Sequence, residues 1–451
     1  MTGMGVKRTI AIVGRGPAGS SLATYLANAG FEVGLFVQGK RPPIIVGESL
    51  VPAVIPYLRR LGIEDEVASF SIWKGGATFV LGEGDSLSVR FADVRKAKTT
   101  YSYNVPRDRF DEACLEAARR AGVRIIEHGA QLERDGDSDR LRLSEASAAV
   151  AREHLSGRPE FFVDATGRRR TVARLLEIPT VDGHRRDTAL HAHFEGIEVE
   201  IPGNVHTDRL EHGWLWRIPL PGRVSMGAVV DTAFIRKFGD SADEQLDNFL
   251  KTDPVIRDYA RPARRVTPVV RYSNYQSTAT RGVGENWALV GDSFGFVDPV
   301  FSSGMLIALQ SADWLAEAIQ RDSRAALQDY ERRVSHNLDC WQRVIRWFYD
   351  GRLLTLFRVG EAVKDTIPGR LLDFHFRKHM PRIFTGENAT HPYSLGLVAF
   401  MVEHGLAGNE VERLDPPRKV AGEADFTWTA RRLEVRQEKR FSSQLALQGA
   451  H

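Results

Sequence analysis

The stretch TIAIVGRGPAGSSLATYLANAGFEVGLFV, residues 9–37, decides the fold of this chain. It begins with a short apolar, β-branched run that is typical of a strand buried on both faces. Gly14, Gly16 and Gly19 follow in the pattern G-x-G-x-x-G, and the next residues place apolar side chains at helical spacing. Residues 32–37 then predict a second strand. A strand, a glycine turn, a helix and a strand in this order predict the beginning of a doubly wound parallel sheet.

The residues of the glycine turn suit the binding of a dinucleotide pyrophosphate. Gly14 permits the tight turn, Gly16 lets the backbone approach the phosphates, and Gly19 allows the helix to pack closely on the strand. Pro17 and Ala18 begin the helix, whose positive N-terminal end faces the phosphates. Glycine turns also begin helices for purely structural reasons. The flanking strands and helix favour the nucleotide-binding interpretation here.

One expected element of a dinucleotide site is missing. Such sites usually carry Asp or Glu at the end of the second strand, where the carboxylate holds the adenosine ribose hydroxyls. Val37 and Gln38 occupy this position. Gln38 can hydrogen-bond to a ribose but carries no charge, so we expect weaker or adapted adenosine binding.

Length and composition exclude several classes of protein. A chain of 451 residues predicts two or three domains. Its net charge of +3, with both signs interspersed, argues against a nucleic-acid-binding protein. Cys114 and Cys340 are the only cysteines, so we expect neither a disulfide scaffold nor a metal site, and a reducing compartment fits best. The N-terminal apolar run is too short for a signal peptide, and no segment approaches the ~20 apolar residues of a membrane span, so we expect a cytoplasmic protein.

Two later segments distinguish FAD from NAD. FFVDATG (161–167) and WALVGDSFGFVDP (287–299) are similar to the second and third flavin motifs of FAD-dependent monooxygenase-like enzymes. The resemblance implies that Asp292 hydrogen-bonds to the ribityl chain of the flavin. It also implies that the helix beginning near Gly304 points its N-terminus at the pyrimidine edge of the flavin. VPRDRFD, residues 105–111, resembles a segment of these enzymes whose arginine, here Arg107, lies beside the cofactor.

The order of the elements predicts an α/β protein whose FAD-binding domain is interrupted. Between about residues 187 and 271 the pattern changes to alternating residues with turn signals, which predicts an antiparallel sheet. A buried strand at 287–291 and a helix from about 303 to 319 return to the first pattern. We expect a doubly wound, Rossmann-like FAD-binding domain at 1–186 and 272–325, an inserted antiparallel substrate-side domain at 187–271, a C-terminal helical region at 326–430 and a mobile tail at 431–451.

Four further motifs resemble those of the flavin-dependent halogenases. The resemblance runs from about residue 7 to 350 and is thinner in the C-terminal helices. VGESLVP, residues 46–52, is similar to the family segment beside the isoalloxazine, and it contributes Glu48 and Ser49. WKGGATF, residues 73–79, resembles the segment that carries the halogenase lysine. The other two motifs are W-x-W-x-I-P at Trp214, Trp216, Ile218 and Pro219, and F-x-x-P-x-x-S-x-G at Phe296, Pro299, Ser302 and Gly304.

The resemblance implies a halogenation in which Lys74 is the catalytic residue. Reduced FAD and oxygen oxidise a halide to hypohalous acid, which a lysine amine captures by hydrogen bonding or as a haloamine and directs to the substrate. A partly buried lysine can have a lowered pKa and useful nucleophilicity. For an isolated lysine, the alternative is a solvated charge between a helix and a strand.

The halide and the two tryptophans also receive roles from the resemblance. Backbone amides near Ser303 and Gly304, at the start of a helix, can hold the halide, and ordinary helix capping by Ser302 or Ser303 is the alternative. In the family, Trp214 and Trp216 are thought to crowd the flavin and so to suppress monooxygenation. Core packing between the sheet and the nucleotide domain is the alternative, and we expect it as well.

One position favours the branch of the family that acts on phenols and pyrroles. Tryptophan halogenases carry a glutamate where this chain has Phe301, and this chain is short for that subgroup. Electron-rich rings, free or bound to a carrier protein, activate themselves toward electrophilic attack and need such an acid less. The aromatic, basic segment 341–377 is a candidate to cover the pocket or to contact an acidic carrier protein, although such a surface is more often merely solvated.

The chain shows a single dinucleotide fingerprint, as single-chain aromatic hydroxylases also do. It is consistent with a two-component system in which a separate flavin reductase delivers reduced FAD. A loosely held flavin is compatible with an enzyme that receives its cofactor already reduced. The nearest alternative is an FAD-dependent monooxygenase of an aromatic or lipid substrate, which W-x-W-x-I-P and Lys74 disfavour. The sequence is also compatible with a flavin-binding reductase at a membrane surface, and with an inactive flavoprotein that serves as a binding partner.

Overall fold

The computed structural model describes residues 8–39, 44–82, 85–183, 185–210, 212–253, 256–273, 275–363, 379–387 and 391–404. The tail expected to be mobile at 431–451 lies outside these residues, as does the part of the predicted helical region after residue 404.

The strands are given first, in chain order. The first ten are β1 Thr9–Val13, β2 Glu32–Phe36, β3 Ile72–Lys74, β4 Gly76–Gly82, β5 Asp85–Arg90, β6 Ser102–Asn104, β7 Arg124–Ile126, β8 Leu132–Arg134, β9 Leu141–Leu143 and β10 Phe161–Asp164. The others are β11 Thr180–Asp182, β12 Asp187–Glu195, β13 Val205–Leu210, β14 Gly213–Leu220, β15 Arg223–Asp231, β16 Arg264–Arg265, β17 Val270–Ser273, β18 Ser277–Ala279, β19 Trp287–Leu289 and β20 Gly295–Phe296.

The helices lie mostly before residue 176 and after residue 302. They are α1 Pro17–Asn28, α2 Ile55–Leu61, α3 Glu64–Phe70, α4 Arg107–Arg120, α5 Glu145–His154, α6 Thr171–Leu175, α7 Thr232–Ile235, α8 Ala242–Thr252, α9 Arg257–Ala260, α10 Ser303–Gln320, α11 Arg324–Tyr349, α12 Arg352–Val363 and α13 Pro392–His404.

A five-stranded parallel sheet in the order β19-β10-β1-β2-β7 forms the centre of the nucleotide-binding part. Strand β1 is fully buried, as its unbroken apolar sequence predicts. Helix α1 follows the glycine turn and packs against α4 and α10. The predicted doubly wound sheet is therefore confirmed, including the return of the chain to this sheet at β19.

The second sheet has a more complex origin than the sequence indicated. Strands β12 to β15 form the antiparallel sheet expected within 187–271, in the order β12-β15-β14-β13, with β16 and β17 beside β12. Two earlier strands, β4 and β5, also join this sheet, because β4 pairs in parallel with β13. The apolar alternation of residues 76–90 gave no indication of this distant partner.

Strand β14 separates two hydrophobic cores. Trp214 and Trp216 point into the large core that includes the parallel sheet. Leu215, between them, belongs to a second core that also contains Leu246 and Phe249 of α8. This division follows from the period of two along a strand, which sends neighbouring side chains to opposite faces.

The C-terminal helices complete the large core. Helix α11 packs on α10, and its aromatic residues near the end, Trp341 to Tyr349, are largely buried. These side chains therefore face the protein interior, whereas residues 364–377 of the segment predicted to cover the pocket lie outside the described residues. Among the helices in the described ranges, none is long and apolar enough to cross a membrane.

Candidate active site

A cavity of about 520 Å³ lies where the parallel strands end and reaches the antiparallel sheet. Ligands bind at this edge of open parallel sheets because the turns and helix N-termini meet there. Six residues that the sequence analysis placed at the site do not line it, namely Gly19, Val37, Lys74, Pro219, Phe301 and Ser303. Those that do are Gly14, Gly16, Pro17, Ala18, Gln38, Glu48, Ser49, Arg107, Trp214, Trp216, Ile218, Asp292, Phe296, Pro299, Ser302 and Gly304.

The three glycines of the turn meet different surroundings. Gly14 has a φ of 114°, and a Cβ atom there would lie 2.3 Å from the carbonyl oxygen of Ala165. A Cβ atom on Gly19 would lie 2.0 Å from the carbonyl oxygen of Gly14, so α1 approaches the turn closely. Around Gly16 no atom lies within 4 Å of the Cβ position. The turn is thus tightly packed at its ends and open to the cavity in its middle.

Asp292 lies at the cavity wall within a cluster of arginines. It belongs to a single 3-10 turn after β19 and lines the cavity with Arg107 and Arg168. Burial raises the pKa of Asp292 to about 6, although Arg107, Arg168 and Arg170 each favour its charged form. Its carboxylate can accept hydrogen bonds from ligand hydroxyl groups.

Arg107 fastens the segment that contains Glu48 to helix α4. Its Nε donates to Asp111 Oδ1 over 2.9 Å, and its Nη1 donates to the carbonyl oxygen of Val46. A hydrogen bond of 2.7 Å joins Glu48 Oε1 to Nε2 of His193, and both side chains are buried. His193 lies on β12, and no motif in the sequence indicated it. The pair therefore connects the cavity wall to the antiparallel sheet.

Three extended segments place Lys74 beside the cavity wall. Strand β6 pairs with β3 on one side, with Lys74 opposite Ser102. On its other side β6 contacts residues 48–50, through Leu50 N to Tyr103 O at 3.0 Å and Val105 N to Glu48 O at 2.7 Å. Because β6 lies between them, the end of β3 and the segment 48–50 are held next to each other.

The Lys74 amine is enclosed by protein. Nζ donates to Ser49 Oγ and to the carbonyl oxygen of Leu50, each over 2.8 Å, and it lies 5.5 Å from the ring centre of Phe91. The residue is 1% exposed, and burial lowers the pKa of Lys74 to about 7. A solvated surface lysine, the alternative interpretation of the sequence, is therefore wrong. Lys74 does not line the cavity itself, but its partner Ser49 does.

Trp214 and Trp216 stand side by side at the cavity wall, with ring centres 5.8 Å apart. Trp214 Nε1 donates to the hydroxyl of Tyr349 over 2.8 Å, and Trp216 Nε1 donates to Ser225 Oγ over 3.3 Å. Both tryptophans also belong to the large core. The structure thus gives them the packing role, and their place on the cavity wall is compatible with the shielding role.

Tyr349 connects Trp214 to a buried carboxylate that sequence analysis did not single out. Its hydroxyl donates to Asp298 Oδ2 over 3.2 Å, and Gln276 Nε2 donates to the same oxygen over 2.9 Å. Asp298 Oδ1 accepts from the backbone N–H of Val300 over 3.0 Å. Burial raises the pKa of Asp298 to about 7. Asp298 lies at an unspecified position of the F-x-x-P motif, which is why the motif did not indicate it.

Comparison with known proteins identifies the family. A family model described as tryptophan halogenase matches residues 9–97 and 85–357, which is well over half of the chain. This chain belongs to the tryptophan halogenase family.

Named halogenases support this assignment. A tryptophan 2-halogenase from Chondromyces crocatus is 30% identical over 358 residues, which cover 76% of this chain and 67% of that protein. A 1H-pyrrole-2-carbonyl peptidyl-carrier-protein chlorinase from Pseudomonas fluorescens is 27% identical over 384 residues, covering 77% of this chain and 84% of that protein. This halogenase-family chain is accordingly an FAD-dependent enzyme that uses a halide.

Solved halogenase structures share the fold. The myxobacterial chondrochloren halogenase CndH superposes with a TM-score of 0.67 at 26% identity, covering 86% of this chain and 97% of that chain. The flavin-dependent brominase Bmp2 gives a TM-score of 0.70 at 19% identity, covering 88% and 98%. At this identity the likeness to the brominase concerns the fold alone.

The family cofactor, FAD, fits the cavity. The open space at Gly16 suits a pyrophosphate, and the Asp292 carboxylate suits a ribityl hydroxyl. Tyr275 also lines the cavity, and its buried hydroxyl has no hydrogen-bond partner among the described residues. Since buried polar groups are nearly always paired, this hydroxyl indicates that a polar ligand completes the site. In the same residues no cluster of three or more His, Cys, Asp or Glu side chains suits a metal ion.

The start of α10 has an unusual backbone. Ser302 precedes the helix with a φ of 55°, in the left-handed region, and its side chain makes no capping hydrogen bond. The Ser303 hydroxyl is buried and has no partner among the described residues. Ordinary capping by Ser302 or Ser303, the alternative interpretation of the sequence, is therefore not observed for either side chain. The first backbone N–H groups of α10 consequently receive no side-chain cap, and Ser302 and Gly304 line the cavity.

Phe301 is buried inside an aromatic cluster. Its ring centre lies 5.6 Å from Phe348, 5.8 Å from Phe384, 6.3 Å from Phe79 and 6.4 Å from Trp341. Phe301 itself is 4% exposed and does not line the cavity. The position at which the sequence comparison places the glutamate of tryptophan halogenases is therefore occupied by close-packed apolar side chains.

Proposed function

We propose that this protein halogenates a phenol or a pyrrole, free or attached to a carrier protein, with chloride or bromide, and that Lys74 captures the oxidised halogen. The observation that carries the proposal is the buried Lys74 amine, which is hydrogen-bonded to Ser49 at the wall of the FAD cavity. When FAD is bound and reduced, it would supply, together with oxygen, the oxidation of the halide to hypohalous acid.

The surroundings of Lys74 favour a neutral amine. A pKa of about 7 means that a substantial fraction of the amine is unprotonated at neutral pH. A neutral amine has two N–H bonds, and the structure offers two acceptors, Ser49 Oγ and Leu50 O. When both N–H bonds are donated, the lone pair remains free to act as a nucleophile.

The capture step then balances as follows. The Lys74 nitrogen attacks the halogen of hypohalous acid, so that an N–halogen bond forms, the halogen–oxygen bond breaks and water leaves with one amine proton. The haloamine next transfers the halogen to a ring carbon. The ring loses its proton, and the amine regains one. Enclosure of Lys74 by Phe91 and Leu50 keeps this reactive nitrogen away from bulk water.

The halide is proposed to bind at the start of α10, at Ser303 and Gly304. The N-terminal N–H groups of an 18-residue helix carry partial positive charge and receive no side-chain cap here. Ser302 and Gly304 expose this helix start to the cavity. Trp214, Trp216, Ile218 and Phe296 are proposed to shield the flavin on the same wall.

The buried Phe301 supports the proposed substrate class. No carboxylate can act from this position, so the ring must supply its own activation. Phenols, particularly after loss of a proton, and pyrroles do so. The relative that chlorinates a carrier-bound pyrrole aligns with 77% of this chain, which supports a ring of this class. A separate flavin reductase is the proposed source of reduced FAD.

Reconstitution tests the proposal. The protein is combined with a flavin reductase, FAD, NADH, bromide and a panel of free and carrier-bound phenols and pyrroles, and products are read by bromine isotope pattern. Lys74→Met keeps an apolar stem of similar size and should abolish brominated product. Lys251→Ala changes an exposed lysine on α8 and should leave the product yield unchanged.

Two outcomes would contradict the proposal. Oxygen insertion with no dependence on bromide would identify a monooxygenase. A Lys74→Met protein that binds FAD normally and still brominates would remove Lys74 from the mechanism.

A further inference from the structure

The side chain that replaces the usual ribose-binding acid has a partner. Gln38 follows β2, which lies beside β1 in the parallel sheet, and both Gln38 and Arg169 line the cavity. Arg169 Nη1 donates to Gln38 Oε1 over 2.5 Å. On its other side the Gln38 amide lies against the backbone of Gly129, because a Cβ atom there would lie 2.8 Å from Gln38 Cδ. The amide is thus held between Gly129 and Arg169.

The backbone around Arg169 is fixed by a buried carboxylate. Asp164, at the end of β10, accepts from the N–H of Thr166 over 2.8 Å and from its hydroxyl over 2.6 Å. Its second oxygen accepts from the N–H of Val172 over 2.7 Å. These bonds hold the turn 167–169 from both sides. The position of Arg169 at the cavity wall is therefore part of the fold.

The pair has the opposite chemistry to the usual carboxylate. Gln38 Oε1 accepts from Arg169, and Gln38 Nε2, which also lies close to Gly129, is the donor side of the same amide. Arg169 adds further donors and a positive charge. The carboxylates that line the cavity are engaged elsewhere, with Glu48 bonded to His193 and Asp111 to Arg107, while Asp292 lies among Arg107, Arg168 and Arg170.

We propose that Gln38 and Arg169 together form the adenosine subsite of the FAD cavity, and that they bind the ribose hydroxyl oxygens as donors. This subsite takes the adenosine part of FAD. Because Arg169 is positively charged, the subsite also favours an adenine nucleotide that carries a phosphate on its ribose, whereas an acidic side chain at this position would repel that phosphate. The inference rests on the family cofactor and is independent of the proposed halogenation, because it concerns binding of oxidised FAD alone.

The test measures binding without turnover. The affinity of oxidised FAD is determined by calorimetry at low and high KCl for the wild type, Arg169→Ala and Arg169→Lys. Arg174→Ala is the control, because Arg174 is an exposed arginine of α6 that does not line the cavity. We expect Arg169→Ala to weaken FAD binding about tenfold, the effect of losing one charged hydrogen bond, and to reduce its salt dependence. Arg169→Lys should lie between the two.

A competition between two isomers locates the contact. 5′-ADP and 2′,5′-ADP carry the same number of phosphates, but only the second carries one on the ribose. We expect 2′,5′-ADP to displace FAD from the wild type at a lower concentration than 5′-ADP, and this preference to disappear in Arg169→Ala. Preference of the wild type for 5′-ADP, or FAD affinity of Arg169→Ala within twofold of the wild type, would overturn the assignment. The wild-type comparison decides the matter even if a variant folds poorly.

Discussion

Trp214 on the antiparallel sheet and Tyr349 at the end of α11 share a buried hydrogen bond of 2.8 Å from the indole nitrogen to the phenol oxygen. Through the same oxygen, Tyr349 donates to Asp298 in the loop before α10. The tryptophan motif, the loop before α10 and the C-terminal helices are therefore joined by one side chain that lies outside every motif.

Tyr349→Phe tests this connection. The change leaves the indole N–H of Trp214 buried without its acceptor, which costs about 1–3 kcal/mol in the free energy of unfolding. Denaturant unfolding should show this loss. Tyr393→Phe, at an exposed tyrosine, should be neutral. Equal stability of the two variants would mean that Trp214 finds another partner.

The raised pKa of Asp298 predicts that the stability of the folded protein depends on pH. Its pKa is raised from 3.8 to about 7 in the folded protein, so the folded state holds a proton that the unfolded state has released. The stabilising contribution is fully present below about pH 4 and is lost as the pH rises through 7. Asp298→Asn should remove this decline, by at most a few kcal/mol, since one pKa unit corresponds to about 1.4 kcal/mol. Unfolding curves of the two proteins between pH 4 and 8 measure the difference. Parallel profiles would contradict it.

Lys74 predicts a pH-dependent halogenation rate. If the neutral amine reacts, the rate should rise as the pH increases through about 7 and then level off, because the pKa is lowered by burial. Single-turnover bromination with prereduced FAD from pH 6 to 9 measures this profile without the reductase. A rate that falls over this range would indicate that the ammonium form acts instead.

Phe301→Glu should not create a tryptophan halogenase. The new carboxylate would lie among Phe79, Phe348, Phe384 and Trp341 without a partner, and its burial should cost about 3 kcal/mol or more. We expect a lower melting temperature and no halogenation of free tryptophan. Phe301→Leu, as the apolar control, should lose less stability. A stable Phe301→Glu protein that halogenates tryptophan would show that the cluster can open.

Alanine substitutions at Gly14 and Gly16 should impair different properties, namely stability at Gly14 and FAD binding at Gly16. Gly14→Ala strains a backbone with φ of 114° and brings Cβ to 2.3 Å from Ala165 O, so it should lower stability by roughly 1–3 kcal/mol even without ligand. Gly16→Ala meets no protein atom within 4 Å and has φ of −64°, so it should fold normally but bind FAD more weakly. Thermal melts and FAD titrations distinguish the two, and a reversal of the two defects would contradict the assignment.

The sequence predicted the parts of the site that depend on short segments. The glycine turn, the strands β10 and β19 and the start of α10 lie where their local patterns placed them, because a strand–turn–helix unit is encoded by adjacent residues. The pairing of β4 with β13 and the contacts Glu48–His193 and Trp214–Tyr349 join residues more than 120 positions apart. No local pattern records such a partner, so these contacts were visible only in the structure.

The position of β14 between two cores has a practical consequence for altering this protein. Trp214 and Trp216 face the FAD cavity, whereas Leu215 faces the core beneath α8. The sheet lies between this second core and the cavity. Substitutions around Leu246 and Phe249 can therefore change thermal stability without altering the cavity wall. Anyone who wishes to raise or lower the thermal stability of this enzyme can therefore substitute residues of the second core and leave the residues that line the cavity unchanged.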